Sequence, residues 1–371
     1  MVCNNVVGII FSNMHDSHLR ELTDLRTMGS VPFGGRYRTI DFPLSNMVNS
    51  GINKVGVITK HNFQSLMDHL GSGKVWDLSR KHEGLFILPP FGYNNSIYQS
   101  RVEALTGVRN FLAQCKEEYV LLSDCHIIYT MDFQPLLDEH ITKGADITIV
   151  CKNDVMPEDL PEKVRFELGR GNKITDIIVE DYRGDKSNWS MGILLMKKDF
   201  LMQIVADAQA HNRLDFIRDI LQRGQDEYKM YAYKFDGFAG VLGSNFGYFD
   251  TTMKLMKKSV RDDLFNASLP IYTKVRDEMP TRFGLGSKVK NSMLADGCII
   301  EGDVENCVLF RGVQVGAGAK ITNSIIMQNT VIGENTRLNY VIADKDCVFG
   351  DGSMMSGFDS YPVYIAKASK V

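Results

Sequence analysis

The sequence predicts two units: an α/β layered domain on a largely parallel sheet, then a parallel β-helix of hexapeptide repeats. Three observations carry this expectation. Short, β-rich apolar runs alternate with helical stretches through the first two-thirds of the chain. The texture changes after about Asp262. From Val289 onward, small or aliphatic residues recur every six positions, as stacked β-helix coils require. A length of 371 residues fits about two domains. A hydrophobic share of 44% against 23% charged provides a core and excludes disorder as the dominant state.

The elements follow in order. Val6–Phe11 (VVGIIF) reads as a buried strand. Lys54–Thr59 (KVGVIT) is a second, followed by a helix through Leu66, Met67 and Leu70. Tyr119–Leu122, Asp146–Val150 and Met191–Met196 continue the series. Ligands of such sheets bind at the carboxyl ends of the strands. A site is therefore expected in the loops after Phe11, after Leu122 and around Gly192. The α/β domain is assigned to residues 1–262, a connector with Pro270 and Pro280 to 263–285, and the β-helix to 286–371. Cys307, Val313, Ala319, Ile325 and Val331 form one inward row. Leu309, Val315, Ile321 and Met327 form a second, two residues on. The period fails at Glu301 and Arg337, which points to atypical ends or inserted loops. An irregular β-sandwich is the plain alternative.

Forty-two basic against 45 acidic side chains leave a net charge of −3, which disfavours a broad nucleic-acid surface. No apolar run is long enough to span a membrane; the stretch Gly84–Ser100 is interrupted by Pro89, Pro90, Asn94 and Asn95. The N-terminus lacks the basic segment of a secretory signal. Seven cysteines, with no C-x-x-C pair, read as buried free thiols in a cytoplasmic chain.

The most specific stretch is VPFGG (Val31–Gly35) followed by RYRTIDFPLSNMVNSG (Arg36–Gly51). ILPP (Ile87–Pro90), MDF (Met131–Phe133), SMGI (Ser190–Ile193) and PIYT (Pro270–Thr273) accompany it. On these residues the chain resembles the glucose-1-phosphate adenylyltransferase (ADP-glucose pyrophosphorylase) family, over nearly its whole length. The resemblance implies a GT-A-type, Rossmann-like nucleotidyltransferase domain joined to a left-handed β-helix, in subunits that assemble as tetramers. It also implies phosphoryl chemistry, in which a sugar phosphate attacks the α-phosphorus of ATP. That chemistry needs glycine-loop N–H groups, close cations and carboxylates that hold Mg²⁺.

Laid on the family motifs, those parts are missing. Asn13–Leu19 falls on the glycine loop with no glycine left. Met14 adds bulk there, and Asp16 is expected to turn a negative charge toward the triphosphate. His18 stands for the loop arginine and cannot make its bidentate contact, although Arg20 offers partial compensation. Met28 stands for a lysine. His126 and Val241 stand for the two metal-binding aspartates, and Asp181 for the sugar-phosphate lysine. Each such loss typically costs about 10²–10³ in rate. The damage falls on charged and glycine positions while the surrounding fold positions persist.

The resemblance therefore narrows to the non-catalytic, regulatory-type subunits of bacterial glycogen synthesis. It implies a catalytic partner subunit, with Mg²⁺ only in that partner and neither catalytic residues nor metal in this chain. It further implies a sugar-phosphate or nucleotide effector, with Arg26, Arg36 and Arg38 as candidate anion contacts, and self-association when the chain is alone. Solvated loop arginines are the plain reading of those three residues. Two other readings stand beside it. Asp124 and His126, two apart on one strand face, form a possible D-x-H pair for Mn²⁺ or Zn²⁺, joined by His15 and His18, in a still-active transferase. A polar cluster in an inactivated cleft is the simpler reading of those residues. A β-helix acyltransferase needs a histidine in or near the coils, yet all eight (His15, His18, His61, His69, His82, His126, His140 and His211) precede residue 212.

Overall fold

β1 (Val6–Phe11) is buried along its whole length and lies inside a nine-stranded sheet. The computed structural model describes residues 3–81, 83–90 and 98–371. His82 and part of the Gly84–Ser100 stretch lie outside the described residues. The other strands are β2 (Lys54–Ile58), β3 (Gly84–Leu88), β4 (Tyr119–Asp124), β5 (Ile147–Val155), β6 (Val164–Leu168), β7 (Ile174–Val179), β8 (Lys186–Lys197) and β9 (Met230–Lys234). Their main path runs β7-β6-β8-β4-β1-β2-β3, with β5 pairing β8 and β9.

The sheet is mixed, and β5 and β9 form a parallel pair at one side of it. β4, β1, β2 and β3 pair in parallel, whereas β8 runs antiparallel to β4, β5 and β6. The reason is the connections. Helix Asp41–Asn49 lies between β1 and β2, helix Gln64–Leu70 between β2 and β3, and helices Arg101–Gly107 and Arg109–Gln114 between β3 and β4. Residues 147–197 hold four strands with only a three-residue helical turn among them. Short links permit antiparallel neighbours, and parallel neighbours need a crossover.

Alternation along β1 divides the core between the two faces of the sheet. Val6 and Ile10 join one cluster; Val7, Ile9 and Phe11 join the other. The first cluster continues through Tyr248, Phe249 and Leu255 into Val308, Phe310, Ile325 and Met327 of the coils. The two units thus share apolar packing.

The coils form three five-stranded parallel sheets, as a β-helix does. Ile299 pairs with Gln314, Gln314 with Val331, and Val331 with Val348, so successive coils advance 15, 17 and 17 residues. Three perfect hexapeptides would advance by 18. The inward rows hold through Ile325 and Met327, and then slip by one. Val331 is 36% exposed and Ile332 is buried in its place. Arg337 likewise faces out beside buried Leu338. Corners take positive φ at Asn306, Asn323, Gly312 and Asn329, where glycine and asparagine are least strained. The asparagine side chains also ladder between coils: Asn291 to Asn306, Asn306 to Asn323, and Asn323 to Asn339.

The last helix of the α/β unit is Lys258–Leu264, and the first coil strand is Arg282–Phe283. All seven cysteines are buried and unpaired. Among the described residues, no helix is long and apolar enough to cross a membrane.

Candidate functional site

The loop after β1 is closed by its own side chains. Met28 N–H donates to Asp16 at 2.7 Å, and the Asn13 amide donates to the other Asp16 oxygen at 2.5 Å. The Asn13 carbonyl oxygen accepts from Lys60 N–H at 3.0 Å and from the Ser12 hydroxyl at 2.9 Å. Asp16 is buried, so the expectation that it faces the cleft is corrected. It turns inward, because backbone and amide donors satisfy it there. Burial raises its pKa, and the bonds from Asn13 and Met28 oppose that rise. Met28 and Gly29 are buried in this packing. Arg20 and His18 are exposed.

His126 and Val241, the positions that the resemblance assigns to metal-binding carboxylates, are neighbours. Val241 pairs with Ile127 in a two-stranded ribbon, and Leu242 N–H donates to the carbonyl of His126 at 2.8 Å. Asp124 ends β4, and His126 lies in the bend beyond it. Their common orientation therefore comes from that bend rather than from strand alternation. His15 arrives from the β1 loop; its ring centroid lies 4.3 Å from that of His126. Ligand atoms of His15, Asp124 and His126 all lie within 4.8 Å of one another, and all three residues are buried. His18 does not join this group, since its ring is 6.0 Å from His15. Gly192, at a bulge in β8 with φ +68°, leaves the room: a Cβ there would approach Asp124 Oδ2 to 3.0 Å.

Sequence reasoning missed the cation of this cleft. Arg101, 3% exposed, places Nη2 2.6 Å from Asp124 Oδ2 and 2.9 Å from Glu162 Oε2. Ser100 caps its helix in a capping box with Glu103, so the S-x-x-E signal in the sequence marks where Arg101 sits. Burial disfavours the Asp124 carboxylate, but the Arg101 guanidinium, with His15 beside it, outweighs burial and holds Asp124 below the usual carboxylate range. Burial, with His15 adding, pushes the His126 imidazole well down and keeps it neutral at pH 7.

This donor set does not fit Mg²⁺. Hard cations take oxygen ligands, and two of the three donors here are imidazole nitrogens, with Asp124 the only carboxylate of the group.

The remaining expected positions lie elsewhere. Asp181 is held by Arg165 at 2.6 Å and Arg183 at 2.9 Å, and the bond from Arg165 lowers its pKa first. Arg26 does not present a free guanidinium, which corrects its reading as a ready anion contact. Its Nη2 donates to both oxygens of Asp344 in the coils, at 2.9 and 2.8 Å, because both groups are buried where the two units meet. Arg26 Nη1 is buried without a hydrogen bond to the described residues. Arg38 bonds the carbonyl and hydroxyl of Ser65 at 2.6 and 2.8 Å. Lys345 faces the same junction: burial, then Arg38 and Arg26, pull it down to about 7. Arg36 is exposed and lines a groove of about 530 Å³ with Tyr37, Lys74 and Tyr272.

Comparisons with known proteins agree with this architecture. Residues 7–258 match the nucleotidyl transferase family, and residues 279–361 match the GlmU-like C-terminal hexapeptide family. The chain is 34% identical over 370 residues to the glycogen biosynthesis protein GlgD of Bacillus subtilis (strain 168), covering 99% of this chain and 97% of that one. It is 33% identical over 359 residues to glucose-1-phosphate adenylyltransferases of Bacillus mycoides (strain KBAB4) and Bacillus anthracis, covering 94% of each chain. With a nucleotidyl transferase domain, a hexapeptide β-helix and relatives of this identity along its whole length, the chain belongs to the glucose-1-phosphate adenylyltransferase family.

Proposed function

We propose that this chain is a regulatory, non-catalytic subunit that assembles in the cytoplasm with a catalytic glucose-1-phosphate adenylyltransferase, which makes ADP-glucose for glycogen synthesis. One observation carries the reading: charged groups of the cleft are engaged with neighbours inside the chain. Asp16 takes up loop donors that would otherwise face a triphosphate, and Arg101 takes up the carboxylate that remains. Phosphoryl transfer depends on placing charge against the phosphates, and these groups are committed to one another. The GlgD name of the Bacillus subtilis relative supports the link to glycogen synthesis.

Regulation requires an effector or partner that binds two conformations differently. Arg38 and Lys345, beside the Arg26–Asp344 pair, supply a basic junction between the two units for an anionic effector such as a sugar phosphate or nucleotide. The test assays the purified chain alone, then mixed with a catalytic homologue, for ADP-glucose formation and pyrophosphorolysis. The expected result is no turnover alone, and an altered rate or effector response in the mixture. An unchanged rate and response after mixing defeats the regulatory reading; turnover by the chain alone defeats the non-catalytic one.

A further inference from the structure

We propose that His15, Asp124 and His126 bind one borderline transition-metal dication of the Zn²⁺, Co²⁺ or Ni²⁺ class. This does not depend on the regulatory reading and assigns no reaction to the metal. The first argument is geometric. His15 Nε2 lies 3.6 Å, and His126 Nδ1 3.9 Å, from Asp124 Oδ2. Metal–ligand bonds of about 2.0–2.2 Å place neighbouring ligand atoms about 3–3.5 Å apart. With all three ligand atoms within 4.8 Å of one another, closing the group around an ion needs side-chain shifts on the order of an ångström.

The second argument is the donor set. Two imidazoles and one carboxylate suit borderline dications and suit Mg²⁺ poorly. The third is that two atoms of the group lack partners. His126 Nδ1 and Asp124 Oδ1 are buried and have no hydrogen bond among the described residues. Buried polar atoms of this kind call for a partner. His15 Nε2 also faces the cluster, 3.5 Å from Arg101 Nη2 and 3.6 Å from Asp124 Oδ2.

Arg101 is the competing cation. It keeps a second carboxylate, Glu162, at 2.9 Å. That pairing lets Asp124 share its charge with a metal without leaving the guanidinium alone. Gly192, without a side chain, keeps the space beside Asp124 and His126 clear.

The experiment uses the full chain, stripped with chelator and titrated with Co²⁺, read by visible absorption and by metal content. One ion per chain is expected, with the spectrum of a nitrogen–oxygen ligand set. His15→Ala and His126→Leu are each expected to weaken binding by more than the roughly 10–100-fold that loss of an outer partner costs. His61→Ala, which removes a ring next to Asp16 rather than Asp124, is expected to leave Co²⁺ binding unchanged. Circular dichroism confirms that each variant is folded. His15 lies in a loop, so His15→Ala keeps the test valid if His126→Leu does not fold. Absence of saturable binding overturns the proposal, as does binding that His15→Ala leaves intact. Binding by Arg101→Met but not by the unaltered chain also overturns it, because the guanidinium is then the permanent occupant.

Discussion

Arg26 and Asp344 stand 318 positions apart, yet one guanidinium nitrogen of Arg26 bonds both oxygens of Asp344. Both side chains are almost fully buried. The Tyr364 hydroxyl lies 2.9 Å from Asp344, and Lys345 N–H donates to it at 2.7 Å. The pair pins the α/β unit to the coils.

Asp344→Ala is expected to destabilise the chain by about 3–5 kcal/mol, because it leaves the Arg26 charge buried without its counter-ion. The double variant Arg26→Met, Asp344→Leu is expected to cost clearly less than Asp344→Ala alone. Denaturant unfolding of both variants measures this. Equal losses would mean that the pair has no special weight.

Arg101 gives a second prediction of the same kind within the cleft. Arg101→Met strips Asp124 of its partner and is expected to cost about 3–5 kcal/mol. Arg101→Lys keeps the charge but loses the planar fork, so an intermediate loss is expected. Thermal and denaturant unfolding separate the three chains.

Carboxylates placed at the two positions that the resemblance assigns to metal-binding aspartates are expected not to confer turnover. His126→Asp with Val241→Asp places two acids side by side, since Val241 pairs with the residue after His126. The closed Asn13–Asp16 loop and the Arg101–Asp124 pair remain. Each missing electrostatic contact still costs about 10²–10³. An ADP-glucose assay on the double variant is expected to read background; measurable synthesis would show that the two carboxylates were the main deficit.

The interdomain junction carries a pH signature. Burial, with Arg38 and Arg26, lowers Lys345 to about 7, so it is largely neutral at pH 8. A bound anion favours the charged form and raises that pKa. Binding of inorganic phosphate or a sugar phosphate is then accompanied by proton uptake near neutral pH, and affinity rises as pH falls from about 8.5 to about 6. Calorimetry in buffers of different ionisation enthalpy measures the uptake, and Lys345→Met is expected to abolish it. Proton release, or uptake unchanged in the variant, would place the anion elsewhere.

In the coils, Asn306→Ala is expected to cost about 1–2 kcal/mol, and Asn306→Gly less. Asn306 combines φ +53° with side-chain bonds to Asn291 and Asn323. Alanine loses both the left-handed tolerance and the ladder, whereas glycine loses the ladder alone. Thermal melts of the two variants order these costs.

Much of this was readable along the chain. β1 was legible residue for residue, because a six-residue apolar run between polar neighbours has few other uses. The six-residue period announced the coils, because stacking requires a small inward residue at each turn. The slip at Val331 was not legible. A 17-residue coil shortens one side by a single position, and periodicity alone cannot say which side gives. The expectation of a largely parallel sheet held for β4, β1, β2 and β3 and for β5 with β9, but not for the pairings of β8 and of β6 with β7, for a similar reason. Strand runs show where β structure lies, while link length and packing choose its direction.

By itself, the sequence determined the two units and the family likeness, since these are matters of residue type at a spacing, and it carried the expectation that loop glycines and metal carboxylates are replaced. Only the tertiary structure decided which side chains meet. It brought Arg101 against Asp124, turned Asp16 inward and tied Arg26 to Asp344. Those partners are 23, 12 and 318 positions apart. Which charges neutralise one another depends on distance and burial, and neither is a property of one-dimensional order.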